Sequence, residues 1–398
     1  MLDRLIKFFT SLKLTVVLLG AAVVLVFVGT LAQVHEGLYA AQTRFFKSWF
    51  VFGLQMGPER TVPIILPGGY LIGTLLLINL TAAHIKRFHL TTKKLGIHLT
   101  HAGIILLLMG QLLTDMLSTE SAMNLNEGET KSYSEDFRAN ELVLIDTTDP
   151  QTNEVIAIPE TLLARERQID DKRLPFTLRI KNYWPNADLL RGESTGAFRT
   201  TATHGAFTNA YVQPKPEITD MDSRDLPAAE VELSNGPNSL GIWLVAAGLG
   251  TPQILSHAGK TYEIALRFTR YYKPFSITLL KATHENYPGT ETPKNFASRV
   301  RVENPDKKED RETQIYMNNP LRYGGFTFFQ HQMLADEAAR MKIARQRGGP
   351  PPPPSSTFQV VQNPSWLAPY LGCVIVGLGL VVQFMIHLVG FVTKRRAA

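Results

Sequence analysis

Four apolar runs, separated by basic turns and one long polar stretch, organise this chain. About Leu14 to Val34, Ile64 to Ile85, Leu95 to Leu117 and Trp366 to Phe391 each meet the roughly 20-residue length a helix needs to cross hydrocarbon. Pro63, Pro67, Gly68 and Gly69 delay the regular helix of the second run until about Tyr70. In the third run Gly96, Gly103 and Gly110 recur at every seventh residue. At about 100° per residue they drift only about 40° around the helix, which predicts one smooth face for close packing. His98 and His101 fall on the opposite side. Between the first two runs, Phe45, Phe46, Trp49, Phe50 and Phe52 are interrupted by Arg44 and Lys47. Residues 38–57 are therefore expected to lie as an aromatic helix in the membrane interface, the alternative being a loop whose aromatics plug the outer domain.

The polar stretch reads differently. ELVLID from Glu141, FTLRIKNYW from Phe176, AEVEL from Ala229, YEIALRFTRYY from Tyr262, FSITLLKA from Phe275, SRVRV from Ser298 and GFTFFQ from Gly325 are strand-like runs separated by turn residues. A polar helix is expected over 333–347 and a semi-rigid proline-rich linker over 349–365. The expected fold class is α+β: four transmembrane helices plus a large antiparallel β-rich domain, a sandwich or an open barrel-like sheet, between helices three and four. The domains are then 1–117 (membrane region), 118–348 (β-rich), the linker, and 366–398 (last span and basic tail).

Charge sets the expected orientation. Arg4, Lys7 and Lys13 precede the first span, Lys86, Arg87, Lys93 and Lys94 fill the turn between spans two and three, and Lys394, Arg395 and Arg396 follow the fourth. All three groups face the cytoplasm only if both termini are inside and the β-rich domain is outside, which in a bacterium means the periplasm or the outer face of the membrane. These anchors account for most of the net charge of +6, so the basic balance is no argument for nucleic acid as a partner. The first apolar run is too long, and lacks the small-residue cleavage site, to read as a signal peptide; it is expected to be a retained anchor. The single cysteine, Cys373, falls in the fourth run and is expected to be a small buried packing residue.

Imidazole inside a membrane span usually faces a partner, a pathway or a cofactor. His98 and His101 lie three and six residues from the inner end of their helix, roughly 5 and 9 Å deep. His84 and His387 sit at the inner ends of spans two and four. Neutral imidazole is a common axial ligand of haem iron, so the four are candidates for holding haem; the alternative for each, and for His89 in the loop, is a boundary residue that binds nothing. His101, the deepest, is the leading candidate for an iron ligand. His204, His257, His284 and His331 are scattered and lack metal-ligand spacing, and Cys373 is expected to be inert. The sequence contains no C-x-x-C-H, no C-x-x-C, no H-E-x-x-H and no glycine-rich phosphate loop, so it holds no complete catalytic site.

The opening SLKLTVVLL with a following GTLAQ, the third-span H-x-x-H-A-G-I, and the stretches NYPGTETPKNFASRVRV, IYMNNPLRYGGFTFFQ and NPSWLAPYLGCVIVGLGL resemble the ResB/CcsB family of System II cytochrome c maturation. The resemblance implies a membrane subunit that works with a CcsA/ResC-type partner as a cytochrome c synthetase. Such a complex exports haem and delivers it, as a transient b-type haem, to apocytochrome c outside the cytoplasm. It also implies that a transmembrane histidine near the inner face binds haem, a role that falls by motif position on His101, with His98 as a second histidine beside the expected one. Any thiol chemistry must come from another protein, such as a periplasmic thioredoxin-like reductant, because Cys373 stands alone. Two other readings stay open: a scaffold for the partner that binds no haem, and a respiratory cytochrome b-type subunit, which would need histidine pairs near both faces.

Overall fold

The computed structural model describes residues 2–55, 61–86, 88, 91–165, 168–221, 223–250, 252–287, 289–290 and 293–397. Arg87 and His89 lie outside the described residues. The chain forms two compact units: Met1–Thr119, Thr219–Asp222 and Asn363–Ala398 in one, Glu120–Ile218 and Ser223–Gln362 in the other.

Among the described residues, the first unit holds four helices long and apolar enough to cross a membrane: α1 (Leu12–Glu36), α2 (Gly69–Lys86), α3 (Leu95–Leu117) and α4 (Ala368–Ala397). Val17, Phe27, Val381 and Phe384 stand exposed on them, a surface that hydrocarbon solvates and water would not. α3 has the bounds its apolar run predicts. α2 starts where the prolines and glycines imply, later than Ile64, because Thr61–Pro67 is a strand. α1 runs on to Glu36 and so takes in His35, exposed in its last turn.

The seven-residue glycine repeat packs against α4. A Cβ on Gly96 would sit 2.5 Å from the Gly379 carbonyl oxygen, one on Gly103 2.9 Å from the Gly372 carbonyl oxygen, and one on Gly110 2.7 Å from Ala368 Cβ. The two helices therefore run antiparallel in backbone contact, which only glycine permits. Cys373 is exposed rather than buried: its neighbours Gly372 and Val376 take the face towards α3, and the thiol points away from it.

One polar residue bridges the break between two helices. A short helix, Leu2–Phe9, ends just before Ser11 caps α1. Asn79 of α2, almost fully buried, donates to the Phe9 and Ser11 carbonyls (2.7 and 3.2 Å) and accepts from the Thr15 hydroxyl (2.6 Å). The backbone groups freed between the two helices are thus satisfied away from water.

The aromatic segment is not one helix over 38–57. Leu38–Ala41 is helical, Gln42–Phe46 is a π-turn, and Phe50–Gln55 pairs antiparallel with Thr61–Pro67 in a hairpin. The π-turn aims Phe45 inward, where it is fully buried among Leu25, Ala32 and Ile72, while Trp49, Phe50 and Phe52 stay exposed. Arg44 ties the turn down through Glu36 and the Phe52 and Gly53 carbonyls, contacts a straight helix would not reach.

The second unit is the antiparallel β-rich domain that the strand-like runs predict. Its ten-stranded sheet is built on two long strands, Thr130–Asp146 and Lys260–Asn286, paired from Tyr262↔Asp146 to Thr278↔Thr130. YEIALRFTRYY and FSITLLKA are halves of the second strand. Pro274 has no N–H to give a ladder, and pairing skips from Tyr272 to Ile277 around it. This irregularity lets one strand serve two cores. Ile264 and Leu266 join Leu142 and Leu144 beneath a four-stranded sheet carrying Leu178, Val231 and Trp243. Phe275, Ile277 and Leu279 join Val300, Phe328 and Phe358.

Two boundaries differ from expectation. The polar helix is Glu337–Arg347, capped by Asp336, because Met333 and Leu334 complete the strand Phe326–Leu334. Ser355–Gln362 is a strand paired with Phe326–Leu334, so the linker stops before Ser355. Its alternate residues Ser356, Phe358 and Val360 are buried, the period-two pattern that a sheet imposes.

Candidate functional site

Because α4 occupies the glycine face of α3, the opposite face is left to α2. His98 and His101 are one helical turn apart on that face. The short return through Thr92–Lys94 brings the last turn of α2, with His84, beside them. The His84 ring lies 5.3 Å from the His98 ring, centre to centre and edge-on, and 6.0 Å from the His101 ring. Phe88 closes the group, 5.6 Å from His84 and 4.9 Å from His98.

One hydrogen bond orients His101. His101 Nδ1 lies 2.9 Å from the Ile97 carbonyl oxygen. A carbonyl only accepts, so in this contact Nδ1 carries the proton, and a neutral ring then keeps its lone pair on Nε2. A backbone carbonyl behind one imidazole nitrogen is the usual support for a ligand coordinating through the other.

His387 is not part of this group. It bonds Gln383 Nε2 at 3.0 Å on α4, and Gln383 reaches Gly96 and the Lys93 carbonyl on the other side of α3. Of the four candidate histidines, the structure thus brings together His84, His98 and His101 and leaves His387 apart. Phe88 was not singled out from the sequence; its place in a basic loop gave no periodic signal.

The donor chemistry separates kinds of metal. Among the described residues no three His, Cys, Asp or Glu side chains are arranged to hold a metal ion, so a closed structural site, which takes three or four such ligands, is not built here. Axial ligation of a haem iron needs only one or two imidazoles beside apolar and aromatic walls, and this cluster fits that requirement.

The histidines of the β-rich unit pack singly on aromatic rings: His204 on Trp243 (5.2 Å), His257 on Phe176 (6.1 Å), His284 on Phe296 (4.5 Å) and His331 on Phe137 (6.2 Å). The aromatic run before His331 belongs to the core, with Phe328 fully buried and Phe326 against Phe275. The titratable group that stands out in this unit is Lys273, which burial pushes down to about 8. Its ammonium donates to Ser134 Oγ (2.6 Å) and the Tyr271 carbonyl (3.1 Å) and lies 4.6 Å from the Phe326 ring centre. Ser134 is completely buried, so this lysine–serine contact holds strands together and offers nothing to a substrate.

Comparison with known proteins adds to this geometry. Residues 241–355 match the ResB-like family, a stretch that contains NYPGTETPKNFASRVRV and IYMNNPLRYGGFTFFQ but not the sequence after Ser355. Protein NrfI of Wolinella succinogenes is 24% identical over 289 residues, which cover 71% of this chain and 26% of NrfI. The aligned part of the chain therefore spans about a quarter of that relative's length. From Gly241 to Ser355, in its β-rich unit, the chain resembles the ResB-like family, and over a longer stretch it is similar to NrfI.

Proposed function

We propose that this chain is a membrane subunit of cytochrome c maturation that holds haem b at the His84–His98–His101 cluster and passes it, with a CcsA/ResC-type partner, to apocytochrome c outside the cytoplasm. The observation that carries the haem assignment is the His101 Nδ1 contact with the Ile97 carbonyl at 2.9 Å, which leaves Nε2 as the metal-binding nitrogen. His101 would then hold the iron through Nε2, while His84 and His98 would supply adjoining polar surface and Phe88 an aromatic wall. Bound haem would supply the iron and vinyl groups that mature cytochromes carry; every role assigned to this chain is one of binding and orientation.

Orientation follows from the exposed basic residues Lys93, Lys94, Lys394, Arg395 and Arg396, which favour the cytoplasmic side. The cluster then lies near the cytoplasmic face, where newly made haem arrives, and the β-rich unit is outside with the apocytochrome. Lys93 and Lys94 are available to the carboxylates of such a ligand. A respiratory cytochrome b would need a second pair of imidazoles near the far face, where the described helices place one exposed histidine, His35.

The test is the absorption spectrum and pyridine haemochrome content of the protein purified with and without its partner, wild type beside His101→Ala. A b-type signal that falls in the variant supports the assignment. Maturation that depends on the protein while no sample contains haem would instead make the chain a scaffold.

A further inference from the structure

At the opposite end of the α2–α3 pair, about 20 Å along the helices from the histidines, lies a cleft of about 280 Å³. Its apolar walls include Phe46, Leu108 and Leu112, and its polar rim is Lys47, Tyr70 and Asp115. Asp115 is the acidic residue of the third span, and ionisable groups within spans are costly enough to mark function. It is bound twice, by Lys47 Nζ at 2.9 Å and by the Tyr70 hydroxyl. The π-turn delivers Phe46 and Lys47 to this position. Gly69 is required beneath it, since a Cβ there would collide with the Phe46 carbonyl. π-turns recur at functional sites because they re-aim side chains in this way.

Two observations point to a ligand. First, Gly73 sits in the interior of α2 and lines the cleft, yet a Cβ there would meet nothing within 4 Å. Packing against protein does not require this glycine, and it weakens the helix; Gly20, Gly377 and Gly390 also face open space, but they do not line this cleft. Second, Thr74 and Gln111 also line this space, and neither takes part in the hydrogen bonds of the rim. Within a span such groups need a partner.

The chemistry narrows what that partner is. The Lys47–Asp115 pair is neutral and closed on itself, so it selects neither a phosphate nor a cation. The volume holds one or two fused rings and is too small for a porphyrin. Phe46 offers a ring to stack on, and Gln111 and Thr74 offer donors to carbonyl oxygens. We infer that the cleft between Gly73 and Asp115 binds a neutral quinone-type ring whose apolar tail extends into the lipid. The inference is one of binding and is independent of the haem assignment.

Trp49 lies 6.2 Å from the Tyr70 ring, so it can report occupancy by quenching. The full chain in phosphatidylcholine nanodiscs should be titrated with decylubiquinone while tryptophan fluorescence is followed. Saturable quenching that disappears in Trp49→Phe is expected, with the half-saturation concentration raised at least tenfold in Gly73→Leu, whose Cβ meets nothing within 4 Å and whose side chain would occupy the cleft. Asp115→Asn, which breaks the rim pair, should weaken binding as a second variant. Circular dichroism melting establishes that each variant is folded. Quenching that stays linear in quinone, or is the same in folded Gly73→Leu, overturns the proposal. So does retention of a phospholipid that decylubiquinone fails to displace, seen by native mass spectrometry.

Discussion

Gly96 of α3 and Gly379 of α4 face each other across a backbone contact: a Cβ on Gly96 would fall 2.5 Å from the Gly379 carbonyl oxygen, and one on Gly379 would fall 2.8 Å from that of Gly96. This contact commits one side of α3 to α4 and leaves the side with His98 and His101 for α2. Packing and chemistry on the helix are therefore linked. Gly96→Ala or Gly379→Ala should destabilise the helical unit by about 1–3 kcal/mol, the usual cost of overpacking where backbone cannot yield. Gly377→Ala, with nothing within 4 Å of its Cβ, should be neutral or slightly stabilising. Thermal unfolding in detergent, compared across the three variants, checks this.

The same arrangement orders the histidines. His101 has the oriented nitrogen, His84 touches both other rings, and His387 sits on the far side of α3 with Gln383. Haem content should fall most in His101→Ala, less in His98→Ala and His84→Ala, and least in His387→Ala. Pyridine haemochrome assays on the four variants settle the order. A loss in His387→Ala equal to that in His101→Ala would mean that α4 supplies a ligand from outside the cluster.

How much of this was legible in the chain follows from the range of each interaction. The glycine face of α3 and the histidine face opposite it were readable, because helical period fixes relative direction within one element. That His84 and not His387 meets His98 was not readable: both lie at helix ends of similar depth, and the choice depends on which neighbour takes the glycine face. Pro274 looked like a strand boundary because it interrupts the local pattern, whereas the sheet absorbs it as a gap in pairing. Ser355–Gln362 was hidden by the proline run before it, although its alternation of buried and half-buried residues is regular. The π-turn at Gln42–Phe46 has no sequence period of its own, so the cleft that Phe46 and Lys47 complete was not foreseen either.

Topology is open to a direct check. The turn at Asp149–Thr152 between strands Thr130–Asp146 and Glu154–Pro159 is held by local hydrogen bonds from Gln151 N and the Thr152 hydroxyl to Asp149, and its tip is exposed. It accepts an insertion better than the segment near Asp220, where Thr219 is bonded to the Tyr39 N–H. A phosphatase reporter inserted after Gln151 should be active, and a cytoplasmic reporter at the same place silent. The reverse pattern would place the β-rich unit in the cytoplasm and overturn the delivery reading.

Cys373 faces away from α3 on the outer surface of its helix. Surrounded by hydrocarbon, its thiol is out of reach of polar reagents, so water-soluble maleimide should label it in detergent-unfolded protein but not in membranes. Cys373→Ser should leave cytochrome c maturation within about twofold of wild type, since a lone cysteine cannot form a disulfide within the chain. A null phenotype in that variant would assign the thiol a role that its surroundings do not provide.

Lys273 gives the β-rich unit a distinctive pH dependence. Burial lowers it from 10.5 to about 8, so the folded state releases this proton before the unfolded state does. Below about 8 both states hold the proton and the cost of burying the ammonium is fully present. Between about 8 and 10.5 the unfolded chain binds more protons than the folded one, so this residue's contribution to stability rises with pH across that window. Solvent around the partly screened ammonium keeps the total to the order of 2 kcal/mol. Lys273→Met removes the titration together with the donations to Ser134 and the Tyr271 carbonyl. Melting temperatures measured from pH 7 to pH 10.5 should therefore show wild type gaining on Lys273→Met as the pH rises. A constant difference between the two would mean that the ammonium is as well solvated in the fold as in the open chain.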